Sequence, residues 1–494
     1  MQPAQTADDK SLGRLVAKNT FYLTASQALT IPIAMLVNVA VARFLSADDV
    51  GIRFWASTMA GFGFLVVNWG HESALPALIA RERARAGALL GSSLAWRVLL
   101  SGVVYAALAL GCYAFNYRGE AQWALALTFV ITGFASLIGA CKDTIRGFER
   151  TDIPAVVHVV QQFLTALLIV PALYLGGSLN VSLAVQIPIS MLVLVMIWRW
   201  LRPVGVGGLS VSKVDIDALT HMGTPFVFLG LATALQPTID AIFLSKLAPH
   251  EVMGWYAVAR QLIGVLLLPA TALTGALYPT LCRLHIEDRE AFVRVGRGSL
   301  SSVALAAVPI AMGCYLFPDI GIALFGRKKY APSEHNLQML APFLFLLYFS
   351  IPLGTCIVAA NKRKSASFVQ ALCVVVSVVL DPLLIPLFER RSGNGGLGVC
   401  IASIVSEAVV VVGFIALVPR GIFDRALVRV LALSMACGGL MALVPYLLRP
   451  YLSPFILAPL SVCVYAGALV LTGAIDKQQM QQLKSGITRK LLRR

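Results

Sequence analysis

Residues 396–419 read GLGVCIASIVSEAVVVVGFIALVP, an apolar run that contains a single charged residue, Glu407. About 20 apolar residues are enough for a helix to cross the hydrocarbon core of a bilayer. The run is continuous rather than alternating, which favours a helix over the strand of a membrane barrel. Arg390 and Arg391 precede the run and Arg420 follows it. The stretch therefore predicts one membrane-spanning helix with basic residues at both ends.

Runs of the same kind recur along all 494 residues, which are 58% hydrophobic and only 13% charged. A soluble protein of this composition would lack the polar surface to cover its core. We therefore predict an all-α polytopic membrane protein with about 14 transmembrane helices. The predicted spans are 19–42, 51–79, 87–113, 121–141, 153–176, 179–201, 221–246, 252–281, 298–317, 338–360, 365–388, 396–419, 426–448 and 451–475.

The basic residues set the orientation of these spans. The formal net charge of +16 would suggest nucleic-acid binding in a soluble protein, but here the charges flank apolar runs, and we predict no nucleic-acid partner. With the N-terminus in the cytoplasm, 29 basic residues lie in cytoplasmic segments or towards the cytoplasmic ends of spans, 10 lie in outer segments or towards the outer ends, and Arg260 lies deep within a span. This asymmetry predicts that both termini are cytoplasmic.

An internal repeat is visible at an offset of 203 residues, because Gly51 through Pro76 matches Gly254 through Pro279. Spans 1–6 and 7–12 then form two pseudo-symmetric six-helix lobes in the same orientation, and two C-terminal helices are added. Parallel repeats of this kind place the substrate path between the halves. The predicted parts are a cytoplasmic N-terminus (1–18), an N-lobe (19–201), a cytoplasmic linker (202–220), a C-lobe (221–419), the last two spans (420–475) and a basic cytoplasmic tail (476–494).

The sequence shows no motif of nucleotide hydrolysis or of metal-dependent catalysis, such as GxxxxGK[ST] or HExxH. The nine cysteines are scattered, mostly within apolar runs, and are interpreted as buried apolar residues. No loop is long enough for a catalytic domain. We therefore predict a protein that is not an enzyme, with no catalytic residues, no metal site and no cofactor.

Several segments, taken in order, form a recognisable pattern over almost the whole chain. They resemble the polysaccharide-transport (Wzx-type) flippases of lipid-linked oligosaccharides, in the MOP superfamily that also holds MurJ-type lipid II flippases and MATE exporters. The segments are Ala42-Arg43-Phe44-Leu45, His71-Glu72, Arg146-Gly147-Phe148-Glu149-Arg150, Asp240-Ala241-Ile242-Phe243-Leu244-Ser245, Tyr256-Ala257-Val258-Ala259-Arg260, Leu277-Tyr278-Pro279, Leu324-Phe325-Gly326 and Ala359-Ala360-Asn361-Lys362.

The resemblance implies an alternating-access flippase in the inner (cytoplasmic) membrane of a bacterium. Such a protein moves an undecaprenyl-diphosphate-linked oligosaccharide from the inner to the outer leaflet for cell-surface polysaccharide biosynthesis. The implied partners are membrane lipids, the polyprenyl-diphosphate-linked glycan, a coupling Na⁺ or H⁺, and polymerases or glycosyltransferases. The central cavity of these flippases is typically cationic, and the resemblance extends to Arg260 and Asp240.

Charged residues within spans are the candidate site residues, since a charge at mid-bilayer costs about 2.5–3.5 kcal/mol on insertion scales. Arginine suits phosphate because its guanidinium can donate two parallel hydrogen bonds. The candidates for diphosphate binding are Arg260, Arg53 and Arg97, those for coupling or counter-charge are Asp240 and Glu407, and those for a sugar-binding polar patch are His158, Gln161 and Gln162.

Each candidate also has a structural interpretation. Arg260 and Asp240 would pair with each other and tie two helices together, and Arg53 would extend towards the outer headgroups. Arg97 would lie outside the membrane if its span began later than predicted. Glu407 would form interhelical hydrogen bonds. The remaining polar residues would be satisfied within the bundle: His158, Gln161 and Gln162.

Two other functions compete with the flippase. The first is a MATE-like, cation-coupled drug exporter, which would favour an acidic cavity. The second is a membrane polysaccharide polymerase or ligase, which needs a large outer loop that this chain lacks. The basic outer run Arg327-Lys328-Lys329 departs from the charge asymmetry and would either receive lipid phosphates or form a solvated loop.

Overall fold

The computed structural model describes the backbone of residues 3–473 and the side chains from Tyr22 onward, except those of residues 23, 24, 229 and 232. This part of the chain is almost entirely helical and contains no strand. The helices are α1 (Pro3–Phe44), α2 (Ala47–Asn68), α3 (His71–Arg81), α4 (Ala86–Ala114), α5 (Glu120–Gly147), α6 (Asp152–Tyr174), α7 (Leu179–Ala184), α8 (Gln186–Val204), α9 (Lys213–Leu247), α10 (His250–Leu266), α11 (Leu268–Glu287), α12 (Arg289–Leu316), α13 (Pro318–Ala323), α14 (Ala331–Ala359), α15 (Arg363–Ser392), α16 (Gly396–Leu417), α17 (Arg425–Leu448) and α18 (Pro454–Leu471).

The described residues contain 12 helices long and apolar enough to cross a membrane, or 14 when each of two bent helix pairs counts as one span. One bent pair is Lys213–Phe228 with Thr233–Leu247, at 62°, and the other is α10 with α11, at 42°. These positions match the predicted spans one for one. The prediction of an all-α polytopic membrane protein is therefore confirmed.

Besides the two bent pairs, two further predicted spans are broken, which hydropathy does not reveal. The span 51–79 divides into α2 and α3 because Trp69 and Gly70 take left-handed conformations, with φ of 44° and 68°. The span 179–201 divides into α7 and α8 at Val185. Side-chain apolarity reports the environment of a segment, whereas a break depends on backbone torsions at one or two residues.

The fifth helix extends further than predicted. The span was expected to end at 141, but α5 continues to Gly147 and carries Lys142, Asp143 and Arg146 on its last turns. Polar residues at the end of a spanning helix lower the apparent hydropathy without ending the helix. These side chains are therefore held on a packed helix instead of a loop.

The first of two units defined by internal contacts spans Met1–Gly254. Within it α1 packs along α6, and α5 packs against α2, α3, α4 and α8. Apolar side chains such as Leu75, Leu90, Ile145 and Val193 are fully buried where α3, α4, α5 and α8 meet. Helix α9 also packs on α2, α3 and α4. The predicted lobe boundaries at 201 and 221 stay a prediction.

The predicted linker is short and packed. The last residues of the predicted segment, 213–220, form the first turns of α9, so only 205–212 connects α8 to α9. The backbone N–H of Ser212 donates to Ser92 Oγ on α4 at 3.0 Å. Arg85, just before α4, pairs with the nearly buried Asp215. These bonds fix the connection on the start of α4.

The second unit spans Trp255–Arg494. Helix α14 packs against α11, α12 and α16, while α15 packs along α16. The last two described helices, α17 and α18, pack on each other, and α17 packs on α12. Tyr465 of α18 is buried and its hydroxyl donates to the Leu305 carbonyl of α12 at 2.9 Å. The predicted basic tail, 476–494, lies outside the described residues.

The glycines that begin the two copies of the repeat touch each other within the first unit. A Cβ added to Gly51 would collide with the carbonyl oxygen of His250, and one added to Gly254 would collide with that of Ala47. Since 250 is 47 plus 203 and 254 is 51 plus 203, the two contacts are related by the repeat offset. Reciprocal contacts are what a twofold relation between two equal elements produces. The geometry supports the predicted repeat.

Candidate functional site

A buried polar cluster lies in the first unit where α2, α3, α4 and α5 meet. We call Arg97, Asn68, His71, Ser136 and Asp143 the Arg97 cluster. Arg97 lies in the middle of α4 and is 2% exposed, and His71 and Asp143 are also buried. Asn68 ends α2, His71 begins α3, and α5 carries the other two. A buried charge at this depth needs polar partners, which the cluster supplies.

Hydrogen bonds connect three helices through Arg97. Its Nη1 donates to the Ser136 carbonyl oxygen at 2.5 Å and lies 3.3 Å from the Ser136 hydroxyl oxygen. That hydroxyl donates to Asn68 Oδ1 at 2.5 Å. The carboxylates of Asp143 and Glu72 lie within coulombic reach and offset the positive charge. Arg97 Nε and Nη2 have no hydrogen-bond partner among the described residues.

The break between α2 and α3 is held by the same region. Trp69 Nε1 donates to Thr224 Oγ1 of α9 at 3.2 Å, and His71 Nδ1 lies 3.1 Å from Ser93 Oγ of α4. A broken helix frees backbone polar groups, which a membrane protein tolerates only inside protein or beside a watery cavity. The break and the Arg97 cluster together form a polar interior of the first unit.

Beside this cluster, a cavity of about 200 Å³ lies between α4 and α5, lined by Arg97, Val98, Ser101, Val130, Gly133, Phe134, Ser136 and Leu137. Helix α4 begins at Ala86, well before Arg97. Arg97 therefore lies within a continuous packed helix, and its depth in the membrane stays a prediction. A phosphate contact for Arg97 stays a prediction.

Arg53 lies near the start of α2 and is partly buried, and its Nη1 has no hydrogen-bond partner among the described residues. Two residues further on, Trp55 stacks on Tyr117 with ring centroids 4.5 Å apart. Tyr117 follows α4, and burial raises the pKa of its hydroxyl. The Lys246 ammonium of α9 lies 3.5 Å from the Tyr117 ring centroid. These aromatic contacts fix the end of α2 on which Arg53 stands.

The predicted polar patch lies on α6, where His158, Gln161 and Gln162 are each partly buried. Lys142 Nζ of α5 lies 3.5 Å from Gln161 Oε1. This contact matches the structural interpretation for Gln161, a polar group satisfied by a neighbouring helix. Sugar binding by the patch stays a prediction.

Asp240 lies on α9 and is 2% exposed. Pro237 stands three residues earlier within the same helix, and the helix bends between Phe228 and Thr233. Proline removes one hydrogen bond from the helix and frees a carbonyl oxygen. The burial of Asp240 agrees with both the coupling and the packing interpretation.

The second unit places Arg260 beside an aromatic ring and an acid. The guanidinium carbon of Arg260, on α10, lies 4.7 Å from the centroid of the Phe343 ring on α14. The carboxyl of Glu407, on α16, is buried, interacts with the Ser350 hydroxyl of α14, and lies within coulombic reach of Arg260. Arg260 Nη1 has no hydrogen-bond partner among the described residues. We call these four residues the Arg260 cluster.

The contact of Glu407 with Ser350 agrees with the structural interpretation of Glu407 as an interhelical hydrogen-bonding residue. The neighbouring Ser406 adds a second polar link, since its Oγ lies 3.1 Å from Ser377 Oγ of α15. Glu407 therefore lies among interhelical polar contacts and near an arginine. Its coupling role stays a prediction.

Sequence reasoning missed several members of both clusters. Asn68 and Ser136 are polar residues within apolar runs. Because neither is charged, they stand out less in the sequence than the arginines and carboxylates do. Asp143 follows the predicted end of its span, so the sequence pattern places it in a loop. Phe343 and Ser350 are ordinary residues of a spanning helix, and only their contacts single them out.

Comparison with solved structures identifies the fold. The chain is similar to a structure described as lipid II flippase MurJ in an inward closed conformation, with a TM-score of 0.68 and 14% identity over 92% of this chain and 99% of that one. It is also similar to an inward-facing multidrug-resistance MATE family transporter of the MOP superfamily, with a TM-score of 0.58 and 14% identity over 79% and 96%. The fold is that of the MOP superfamily transporters.

Another match is a MOP superfamily transporter from Pyrococcus furiosus, with a TM-score of 0.56 and 15% identity over 81% of this chain and 94% of that one. Its description states that a reversed polarity of the binding pocket suggests a different function. No curated protein sequence matches the chain significantly.

The family follows from the sequence itself. Residues 16–285, more than half of the chain, match the family model described as polysaccharide biosynthesis protein. The chain belongs to this family, which confirms the predicted resemblance, and it is a multi-span membrane protein with the MurJ-like fold.

Proposed function

We propose that the protein is a flippase that moves an undecaprenyl-diphosphate-linked oligosaccharide from the inner to the outer leaflet of a bacterial inner membrane. One observation carries the proposal. Arg53, Arg97 and Arg260 lie in spanning helices, and each has at least one guanidinium N–H without a hydrogen-bond partner among the described residues. Phosphate oxygens are strong acceptors for such donors.

The glycan part of the proposal rests on the family, which is named for polysaccharide biosynthesis. In this proposal Arg260 binds the diphosphate, and Arg53 and Arg97 are the other candidate phosphate-binding residues. The α6 patch of His158, Gln161 and Gln162 contacts sugar hydroxyls. The polyprenyl chain stays in the lipid. The glycosyltransferases act before transport, and the polymerase acts after it.

Alternating access of the two predicted lobes moves the headgroup. The reciprocal contact of Gly51 and Gly254 supports the predicted internal repeat. The membrane potential contributes about 2.3 kcal/mol per elementary charge per 100 mV, and an inside-negative potential favours outward movement of an anion. Asp240 and Glu407 are the proposed sites for a coupling Na⁺ or H⁺, because both carboxylates are buried in spanning helices.

The direct test is transport by the purified protein in proteoliposomes that contain a polyprenyl-diphosphate-linked oligosaccharide. The wild type should move this lipid between leaflets, and Arg260→Gln should slow the movement about tenfold or more, since a hydrogen bond to a charged group contributes about 1.5–3 kcal/mol. Arg289→Gln, at the exposed first residue of α12, is the matched control. Failure of the wild type with every glycan tested would contradict the proposed function.

A MATE-like drug exporter is the second candidate, because the fold also matches MATE transporters and both Asp240 and Glu407 are buried acids. Expression of the protein in a drug-sensitive strain separates the two candidates. Increased resistance to cationic drugs, without transport of a lipid-linked glycan, would favour the exporter. The enzyme alternative is weaker, since the structural neighbours described above are named as a flippase and transporters.

A further inference from the structure

A large apolar groove opens in the second unit between the ends of α12 and α17. Its volume is about 830 Å³, within the range of pockets that hold small molecules. We call it the α12–α17 groove, and its lining residues are Leu316, Ala442, Leu443, Pro445, Tyr446, Arg449 and Pro450. Only Tyr446 and Arg449 among these carry polar side-chain atoms. The predicted orientation places this end of the helices on the outer face of the membrane.

One buried carboxylate gathers two arginines at this end. Arg449 Nη2 lies 3.7 Å from Asp319 Oδ2, and Arg327 Nη2 lies 3.8 Å from the same oxygen. Asp319 is 5% exposed, whereas the Arg449 and Arg327 side chains are 52% and 65% exposed. These ion pairs are long, so both guanidinium groups keep donors for another acceptor. Asp319 therefore fixes two exposed arginines beside an apolar groove.

The chain around the two arginines carries an excess of positive charge. Lys328 and Lys329 directly follow Arg327 in the loop before α14, and the acidic side chains near Arg327 are those of Asp319 and Glu334. The formal balance of four basic and two acidic side chains is +2. The positive-inside rule does not explain basic residues on the outer side. A negatively charged ligand would give these residues a function.

We propose that the α12–α17 groove binds an anionic phospholipid of the outer leaflet, with its phosphate on Arg449 and Arg327 and an acyl chain against Leu316 and Leu443. A guanidinium recognises phosphate, and basic pockets between spanning helices bind anionic lipid headgroups. The groove lining has no amide, carboxylate or aliphatic hydroxyl to bind sugar, so it fits a lipid with a small headgroup. Tyr446 is 81% exposed, as suits an aromatic residue at the membrane interface.

This site does not depend on the proposed transport activity, and its test is separate. The purified full-length protein in detergent is titrated with phosphatidylglycerol or phosphatidylcholine, and bound lipid is counted by native mass spectrometry. Phosphatidylglycerol should bind the wild type more tightly than phosphatidylcholine does. Arg449→Gln should weaken phosphatidylglycerol binding about tenfold, the loss expected for one hydrogen bond to a charged group.

A second variant, Ala442→Trp, fills the groove but keeps both arginines, so it tests the acyl-chain contact without removing a charge. It should also lose phosphatidylglycerol, whereas the exposed Arg391→Gln at the end of α15 should bind it as the wild type does. Equal binding of phosphatidylglycerol by the wild type and both groove variants would overturn the proposal, as would equal affinity for the two phospholipids. Displacement of phosphatidylglycerol by equimolar undecaprenyl phosphate would assign the groove to a polyprenyl lipid instead.

Discussion

At the scale of single residues, the arginines in spanning helices are held by different means. Arg97 is joined to Ser136 by hydrogen bonds and lies near two carboxylates, so much of its charge is offset inside the first unit. Arg260 has the Phe343 ring on one side and Glu407 within coulombic reach. A guanidinium over an aromatic face keeps its edge free for hydrogen bonds. Arg260 is therefore the better candidate for the proposed phosphate contact.

The coupling between Arg260 and Glu407 can be measured by a double-mutant cycle. We expect Arg260→Gln and Glu407→Gln to be non-additive by about 0.5–3 kcal/mol in the free energy of unfolding, because each removal leaves the other charge without its partner. The measurement is thermal or chemical unfolding of the purified protein in detergent. Glu290→Gln, at an exposed acid of α12, combined with Arg260→Gln should be additive. Additivity of the Glu407 pair as well would show that the two groups do not interact.

At the scale of helices, close backbone approach decides where glycine is required. Gly51 and Gly254 each touch a backbone carbonyl of the other copy's helix, whereas Gly61 and Gly264 have no atom within 4 Å of an added Cβ. The second pair is also related by the offset of 203. Each copy therefore has one glycine at a tight helix crossing and one glycine whose Cβ position is open. Alanine substitutions at the crossing position and at the open position can therefore be compared within each copy.

We expect Gly51→Ala to lower the free energy of unfolding by about 1–3 kcal/mol, the usual effect of an added group in a packed contact. Gly254→Ala should act in the same direction, because its contact is the reciprocal one. Gly61→Ala and Gly264→Ala should be neutral or stabilising by up to about 1 kcal/mol, since alanine favours helix over glycine. Thermal unfolding in detergent measures all four variants. Equal effects at the crossing and open positions would contradict the reciprocal contact.

At the scale of the whole molecule, the distribution of basic residues predicts the orientation in the membrane. The count of 29 cytoplasmic against 10 outer basic residues comes from the sequence. The helix bounds show which basic residues lie between helices or at their ends, where a labelling reagent can reach them. Lys328 follows α13 and lies in a loop on the predicted outer side. Lys364 lies on the first turn of α15, at the predicted cytoplasmic end.

Cysteine labelling tests this orientation. In a variant without the native cysteines, Lys328→Cys should react with a membrane-impermeant maleimide added to intact spheroplasts, because the outer loops face the reagent. Lys364→Cys should react only after the membrane is permeabilised. The reverse pattern would place both termini outside and would reverse the proposed direction of transport.

The amino-acid sequence by itself determined the class, the number and approximate places of the spans and the repeat, because burial in lipid depends on summed side-chain apolarity over about 20 neighbouring residues. It also singled out Arg97, Arg260 and Glu407, since a charge within such a run is conspicuous. Only the tertiary structure decided the break at Trp69 and the partners of each charge. Those depend on backbone torsions and on contacts between residues far apart in sequence. Asp319 brings Arg327 and Arg449 together from positions 122 residues apart, and no local pattern reports such a contact.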